Sequence, residues 1–360
     1  MDLLSLIGTT LLLVIMVTLI VCLLEYKIYG STNKKLRVVV KGLLTSVAAV
    51  GIVAFISYTR NTGEMSAEAT QFLPESFYNV SFAFLLLMLA IIPAYFVGRY
   101  IYNHDFDKEP KSLLIQLFLA GLGSIVVTLA LTVLLMRIFP FFNVNAESIG
   151  GLLPLIPYVF IGVAFVEEFS KWIFTYAIGY KNKEFNHVYD IIVYAVFVSL
   201  GFAAFENILY VFAGLNDGTA IQIALMRSVT AVPGHAAFGV VMGYYLAMAR
   251  ISEKNNNYRL ANINKVKSIL FPTIVHGIYN YLLYATAYVG SISFMMFIVF
   301  VILLFQTATR KVKQLAALGY DLNMPILSTI VNRQNQYNYC PNCGESVIGA
   351  YCRKCGKKHN

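Results

Sequence analysis

Acidic, basic and imidazole side chains recur inside stretches of this chain that are otherwise apolar, and their spacing suits proton chemistry. One stretch reads Val166-Glu167-Glu168-Phe169-Ser170-Lys171-Trp172, and a second Phe202-Ala203-Ala204-Phe205-Glu206-Asn207-Ile208-Leu209-Tyr210. A third runs from Arg227 through Pro233-Gly234-His235, and a fourth is His276-Gly277-Ile278-Tyr279-Asn280. On a helix, residues three and four apart share a face, so Lys171 can neutralise either Glu167 or Glu168, while Glu206 pairs with Tyr210 and His276 with Asn280. A carboxylate held near neutrality can take a proton from water and return it to a leaving amine. Two histidines with a carboxylate make a catalytic metal site with an open position. Together these groups point to hydrolysis of a peptide bond.

Each residue also has a plainer reading. Glu167, Glu168 and Lys171 can be an ion pair that holds a bundle together. Glu206 with Asn207 can be interhelical glue, and His235 or His276 alone a hydrogen-bonded core histidine. Arg227 reads as interfacial or salt-bridging. His187 and the run His104, Asp105, Asp107 and Glu109 read as solvated surface. What favours chemistry is shared depth: at 1.5 Å rise per residue, Glu167, His235 and His276 each fall roughly 15–20 Å from the outer ends of their spans, with Glu206 shallower.

The elements that must position them are membrane helices. The 360 residues are 58% apolar and only 12% charged, against roughly a quarter charged in an average soluble domain, which excludes an ordinary cytosolic protein. Windows of about 20 apolar residues, enough to span, fall near 3–24, 38–58, 79–98, 113–136, 154–179, 188–212, 221–249, 267–287 and 290–306. Irregular backbone and open strand edges cannot face lipid, so the fold class is an all-α polytopic membrane protein of about nine transmembrane helices. The first span has Asp2 in place of a basic leader and no small-residue cleavage site before its basic loop, so it reads as a retained helix.

Loops rich in Lys/Arg alternate with loops poor in them. Lys27, Lys34, Lys35 and Arg37, then Arg99, Lys108 and Lys111, then Lys181 and Lys183, then Arg250, Lys254, Arg259, Lys265 and Lys267 mark one side. That side is the cytosol, which puts the N-terminus outside and the C-terminus inside. Gly162, Ala164, Gly201, Ala203, Ala204 and the Gly239-x-x-x-Gly243 pair allow close helix packing near the polar groups. Pro233 and Pro272 remove helical hydrogen bonds just before each histidine.

Glu167-Glu168-x-x-Lys171, Phe202-x-x-x-Glu206 with Asn207 and Tyr210, Pro233-Gly-His235-x-x-Phe238-Gly239 and His276-Gly-x-Tyr-Asn280 resemble the motifs of the PrsW family of intramembrane proteases, within the wider superfamily of prenyl-protein (CAAX) proteases and bacteriocin-processing proteins. The resemblance covers roughly residues 80–290. It implies a bacterial membrane protease making a first cut in a membrane-anchored protein, such as an anti-sigma-type regulator. It further implies that Glu167 or Glu168 activates water, that Lys171 steadies the carboxylate pair, and that His235, His276 and Asn280 bind a metal, zinc among them, or the oxyanion. Glu206 stands where the CAAX relatives have a histidine, so a CAAX substrate is not implied. Metal-dependent and metal-free glutamate mechanisms both stay open.

Cys340-Pro-Asn-Cys343-Gly and Cys352-Arg-Lys-Cys355-Gly form two knuckles that match a small zinc ribbon, with four thiolates for a closed structural zinc site. Residues 307–360 hold eight Lys/Arg against Asp321 and Glu345, and so most of the net charge of +9. The basic flanks Lys354, Lys357 and Lys358 can meet anionic lipid, or the ribbon can serve a cytosolic protein partner; nucleic acid is the least expected contact. The expected layout is a two-helix N-terminal segment (1–78), a protease core (79–306), a linker (307–338) with an apolar patch from Met324 to Val331, and the ribbon (339–360). Two rival functions use the same residues: a transporter or channel relaying protons or cations, and an inactive, immunity-type relative. No internal repeat supports the transporter.

Overall fold

The computed structural model describes residues 75–144, 149–215, 218–318 and 322, together with 338–339 and 346–347. The expected spans 3–24 and 38–58 and the Met324–Val331 patch lie outside the described residues. The chain divides into compact units Met1–Met88 and Leu89–Asn360. Of the first, only the opening turns of helix α1 (Glu75–His104) are described.

The second unit is a helical bundle. After α1 come α2 (Lys111–Ile138), α3 (Leu152–Tyr180), α4 (Asp190–Ala213), α5 (Ala220–Val229), α6 (Ala231–Lys254), α7 (Tyr258–Tyr284) and α8 (Ser291–Leu318). A single turn, Thr286–Val289, and Gly290 at φ 65° link α7 to α8. Outside the bundle, Asn338–Tyr339 (β1) pairs antiparallel with Ser346–Val347 (β2).

Helix α4 is the hub. Its sequence is apolar all round, as a helix surrounded by protein requires, and Ile191 to Val196 are wholly buried. It packs between α2 and α6, and α6 in turn packs on α7. Glycine sets these distances. A Cβ on Gly121 would overlap the Val198 carbonyl and one on Gly201 the Phe118 carbonyl, so α2 and α4 cross backbone to backbone. The Gly239/Gly243 pair of α6 does the same against α4, where added Cβ atoms would meet Ser199 Oγ at 2.8 Å and Ile192 Cα at 2.6 Å. The outward side chains of α2, among them Ile115, Leu119, Val126 and Val133, are apolar and exposed, as lipid contact demands.

Three elements differ from expectation. The span expected at 221–249 is present as Ala220–Lys254 but carries a joint, because Pro233 has no N–H for the Val229 carbonyl and its ring crowds it; α5 stops at Val229, Thr230 sits at φ −114°, and α6 begins at Ala231. Helix α3 is composite: two π-helical stretches, Tyr158–Phe165 and Thr175–Tyr180, flank an α-helical Val166–Phe174. Such wide turns concentrate at functional sites. One face of α3 carries a ladder of stacked rings, Phe165, Phe169, Trp172, Tyr176 and Tyr180.

Third, α8 continues past 306 to Leu318, since Val312, Leu315 and Ala316 carry a buried apolar stripe beyond the expected span end. Six helical segments among the described residues are long and apolar enough to cross a membrane. Helix α7 is not one of them although it has 27 residues; it starts at the Asn257 cap, takes in Arg259, Lys265 and Lys267, and bears the polar face of Thr273 and His276.

The glycine crossing makes a sign-resolved test. Gly201→Ala forces α2 and α4 apart and is expected to cost about 1–3 kcal/mol. Gly123→Ala on the same pair of helices meets nothing within 4 Å and should hold or gain roughly 0.5–1 kcal/mol. Thermal unfolding in detergent compares the two, and equal midpoints would contradict the packing described.

Candidate functional site

The α-helical middle of α3 places Glu167, Glu168 and Lys171 toward α4, α6 and α7. All three are buried, and Lys171 has no exposure at all. Its ammonium lies 2.7 Å from Glu168 Oε1, 3.6 Å from Glu167 Oε2 and 2.9 Å from His235 Nδ1, with the Phe202 ring centroid 4.0 Å away. An ammonium only donates, so His235 Nδ1 accepts and its Nε2–H is left to donate to Glu206 Oε2 at 2.8 Å.

Glu168 Oε1 also takes the Nδ1–H of His276 at 2.9 Å. This fixes the tautomer of His276 and leaves Nε2 with a lone pair, aimed at Glu167 Oε2 across 3.9 Å. Glu167 Oε2 and Glu168 Oε2 are buried without a hydrogen-bond partner. Glu168 is sealed, whereas Glu167 forms part of the wall of a cavity of about 120 Å³ between α2 and α3, shared with Thr128, Thr132, Tyr158 and Gly162.

On the far side of His235, Glu206 Oε2 receives Arg227 as well, at 2.7 Å, and the Arg227 Nε–H donates to Asn207 Oδ1 at 2.7 Å. The guanidinium stacks 4.0 Å over Tyr210. Rings close the site: Phe238 stacks on His276 with centroids 4.6 Å apart, and the two imidazoles meet edge to face at 5.3 Å. Three carboxylates thus face two permanent cations, which leaves one negative charge for a proton or a metal to balance. One donor atom from each of Glu167, His235 and His276 lies within 4.8 Å of the other two.

The structure brings together Glu167, Glu168, Lys171, Glu206, His235 and His276. Asn280 is half-buried one turn beyond His276, and no hydrogen bond joins it to this network among the described residues. Arg227, read from sequence as interfacial or salt-bridging, is the partner of Glu206 inside the site. Its signal was available: Glu206 has no basic residue three or four positions away on its own helix, so a buried carboxylate there needed a cation from elsewhere.

The sequence model of the PrsW family intramembrane metalloproteases matches residues 109–306, which hold every one of these groups. The chain belongs to the PrsW family. It is a multi-pass membrane protein and an intramembrane protease. Similar relatives include Protease PrsW of Oceanobacillus iheyensis, 37% identical over 55% of this chain and 82% of the relative. Protease PrsW of Geobacillus kaustophilus is 34% identical over 66% and 94%, and Protease PrsW of Bacillus subtilis 30% identical over 64% and 95%. No solved structure matches. In this PrsW-family chain the matched segment runs from Glu109 to Gln306, so it covers the bundle from α2 into α8.

Removing one half of a buried ion pair leaves the other uncompensated, at about 3–5 kcal/mol. Arg227→Gln is therefore expected to lower the unfolding midpoint markedly, and Glu206→Gln combined with Arg227→Gln to recover most of the loss. A double variant no more stable than Arg227→Gln, in the same detergent melt, would contradict the pairing.

Proposed function

We propose that this protease cuts a membrane-anchored protein, such as an anti-sigma-type regulator, with Glu167 as the group that activates water. The observation that supports Glu167 over Glu168 is access: both carboxylates are buried, but Glu167 borders the cavity between α2 and α3 while Glu168 is sealed between Lys171 and His276. Water in that cavity, beside Thr128 and Thr132, meets Glu167 first. Glu167 takes its proton as the water attacks the scissile carbonyl and passes it to the leaving amine. Lys171 balances the charge of Glu168 and holds it in place. Glu168 in turn holds His276 with its Nε2 lone pair toward the reacting water, and the Arg227–Glu206 pair fixes His235 from the other side.

The family's description as metalloproteases implies a metal, and the donor set fits one. Two imidazoles and a carboxylate are a zinc-type set, Glu167 Oε2 has no donor, and His276 Nε2 has a free lone pair. His235 would give up its contact with Lys171 or with Glu206. Glu167, His235 and His276 would hold the ion, which supplies a polarised carbonyl and a more acidic water when bound. Glu167 then acts as ligand instead of base.

We further propose that Cys340, Cys343, Cys352 and Cys355 bind a structural zinc; the antiparallel pair β1 and β2 brackets the first knuckle, as a ribbon hairpin does. The basic loops support an outside N-terminus and a cytosolic C-terminus, where the ribbon would meet a cytosolic partner or anionic lipid.

Purified protein incubated with single-span substrates provides the test. Glu167→Gln, Glu168→Gln and His276→Ala should each lower cleavage by about 10²-fold or more, and cleavage that survives all three ends the assignment. The metal question is answered on protein with all four cysteines replaced by serine. One equivalent of metal that is lost in both Glu167→Gln and His276→Ala, with cleavage blocked by a chelator, makes Glu167 a ligand; full cleavage by metal-free protein makes it the base.

A further inference from the structure

A second buried acidic cluster lies at the basic end of the bundle, away from the site above. Asp105 and Glu109 belong to the short link between α1 and α2, and Asp190 opens α4. The run His104, Asp105, Asp107 and Glu109 reads from sequence as solvated surface. Instead Asp105 and Glu109 are each only 4% exposed and Asp190 is completely buried. One carboxylate oxygen of each lies within 4.8 Å of the other two.

The surroundings are built to orient these carboxylates and leave their inward oxygens open. The backbone N–H groups of Asn186 and His187 donate to Asp190 Oδ2 at 3.0 and 2.6 Å, and the Tyr194 hydroxyl donates to Glu109 Oε2 at 2.6 Å. Backbone N–H groups of Asp107 and Glu109 serve Asp105. After these bonds are made, Asp105 Oδ2 and Asp190 Oδ1 are buried with no N–H or O–H donor from a neighbouring group, and Asp190 lies within hydrogen-bonding reach of the Glu109 carboxyl. An unpartnered buried oxygen is destabilising, and here two of them belong to carboxyls gathered around a third.

Lys108 does not fill the gap: its ammonium sits on the backbone carbonyls of Tyr102, at 2.6 Å, and Asp105. Asp107 and Glu184 add negative charge nearby. Lys108 opposes only part of this charge, acting on Asp105 without a salt bridge to it.

We propose that Asp105, Glu109 and Asp190 form a binding site for a hard divalent cation, of the Mg²⁺, Mn²⁺ or Ca²⁺ class, that clamps the α1–α2 link to the start of α4. An all-oxygen set without imidazole or thiolate selects these ions over zinc. The free oxygens of Asp105 and Asp190 are first ligands, Glu109 is the third, and water completes the shell. The site is independent of the proteolytic chemistry and of the ribbon.

Mn²⁺ is the probe, added to the whole protein in detergent and followed by its electron paramagnetic resonance signal. Wild type should take up one Mn²⁺ that Mg²⁺ or Ca²⁺ displaces, and its unfolding midpoint should rise by several degrees with the ion. Asp105→Asn combined with Asp190→Asn should lose that equivalent and the thermal response at least tenfold in affinity, as should Glu109→Gln alone, whereas Glu167→Gln in the membrane site should keep both. Absence of saturable uptake by wild type at millimolar Mn²⁺, or equal uptake by the double variant, would overturn the proposal.

Discussion

A fully buried ammonium organises this protein. Lys171 on α3 touches Glu168 and Glu167 of its own helix and the imidazole of α6, and through Glu168 it reaches the imidazole of α7. An isolated charge in such a place would be prohibitive. The bundle instead surrounds it with acceptors, and each acceptor is thereby held at a fixed position and, for the imidazoles, in a fixed tautomer. His235 carries its proton on Nε2 because Nδ1 faces a group that can only donate. His276 carries its proton on Nδ1 because Glu168 can only accept. The opposite tautomers of two histidines 5.3 Å apart follow from one lysine and its neighbour.

That network needs backbones closer than ordinary side chains permit. Glycines on α2, α4 and α6 let α4 pass between its neighbours with carbonyls against Cα atoms, and the polar groups at its far end then reach both α5 and α6. The energetic logic runs from small residues to short interaxial distance, and from there to hydrogen bonds of 2.7–2.9 Å among groups on five helices.

Much of this was legible in the sequence. Helical spacing placed Glu167 and Glu168 with Lys171, and shared depth in apolar stretches anticipated that His235 and His276 would meet them. Other features were hidden for physical reasons. Arg227 sits eight residues before His235 on what reads as one continuous span, about 12 Å along the axis, so nothing in the pattern puts both on one carboxylate. Adjacent glutamates point about 100° apart on a helix, and which one borders the cavity depends on the rotation set by the π-helical turns of α3, for which period counting has no signal. Asp105 and Glu109 look like a hydrophilic loop because their burial comes from distant parts of the chain, the Asn186–His187 backbone and Tyr194.

The interruption at Thr230 carries a mechanical meaning. On an unbroken rod, eight residues separate two Cα atoms by about 12 Å along the axis, yet Arg227 and His235 meet on a single oxygen of Glu206. The long arginine side chain and the joint at Thr230 together take up that offset, so groups two turns apart converge on one carboxylate. Glu206 therefore bridges the two sides of the joint, and a single carboxylate ties α5 to α6 where their shared helix is interrupted.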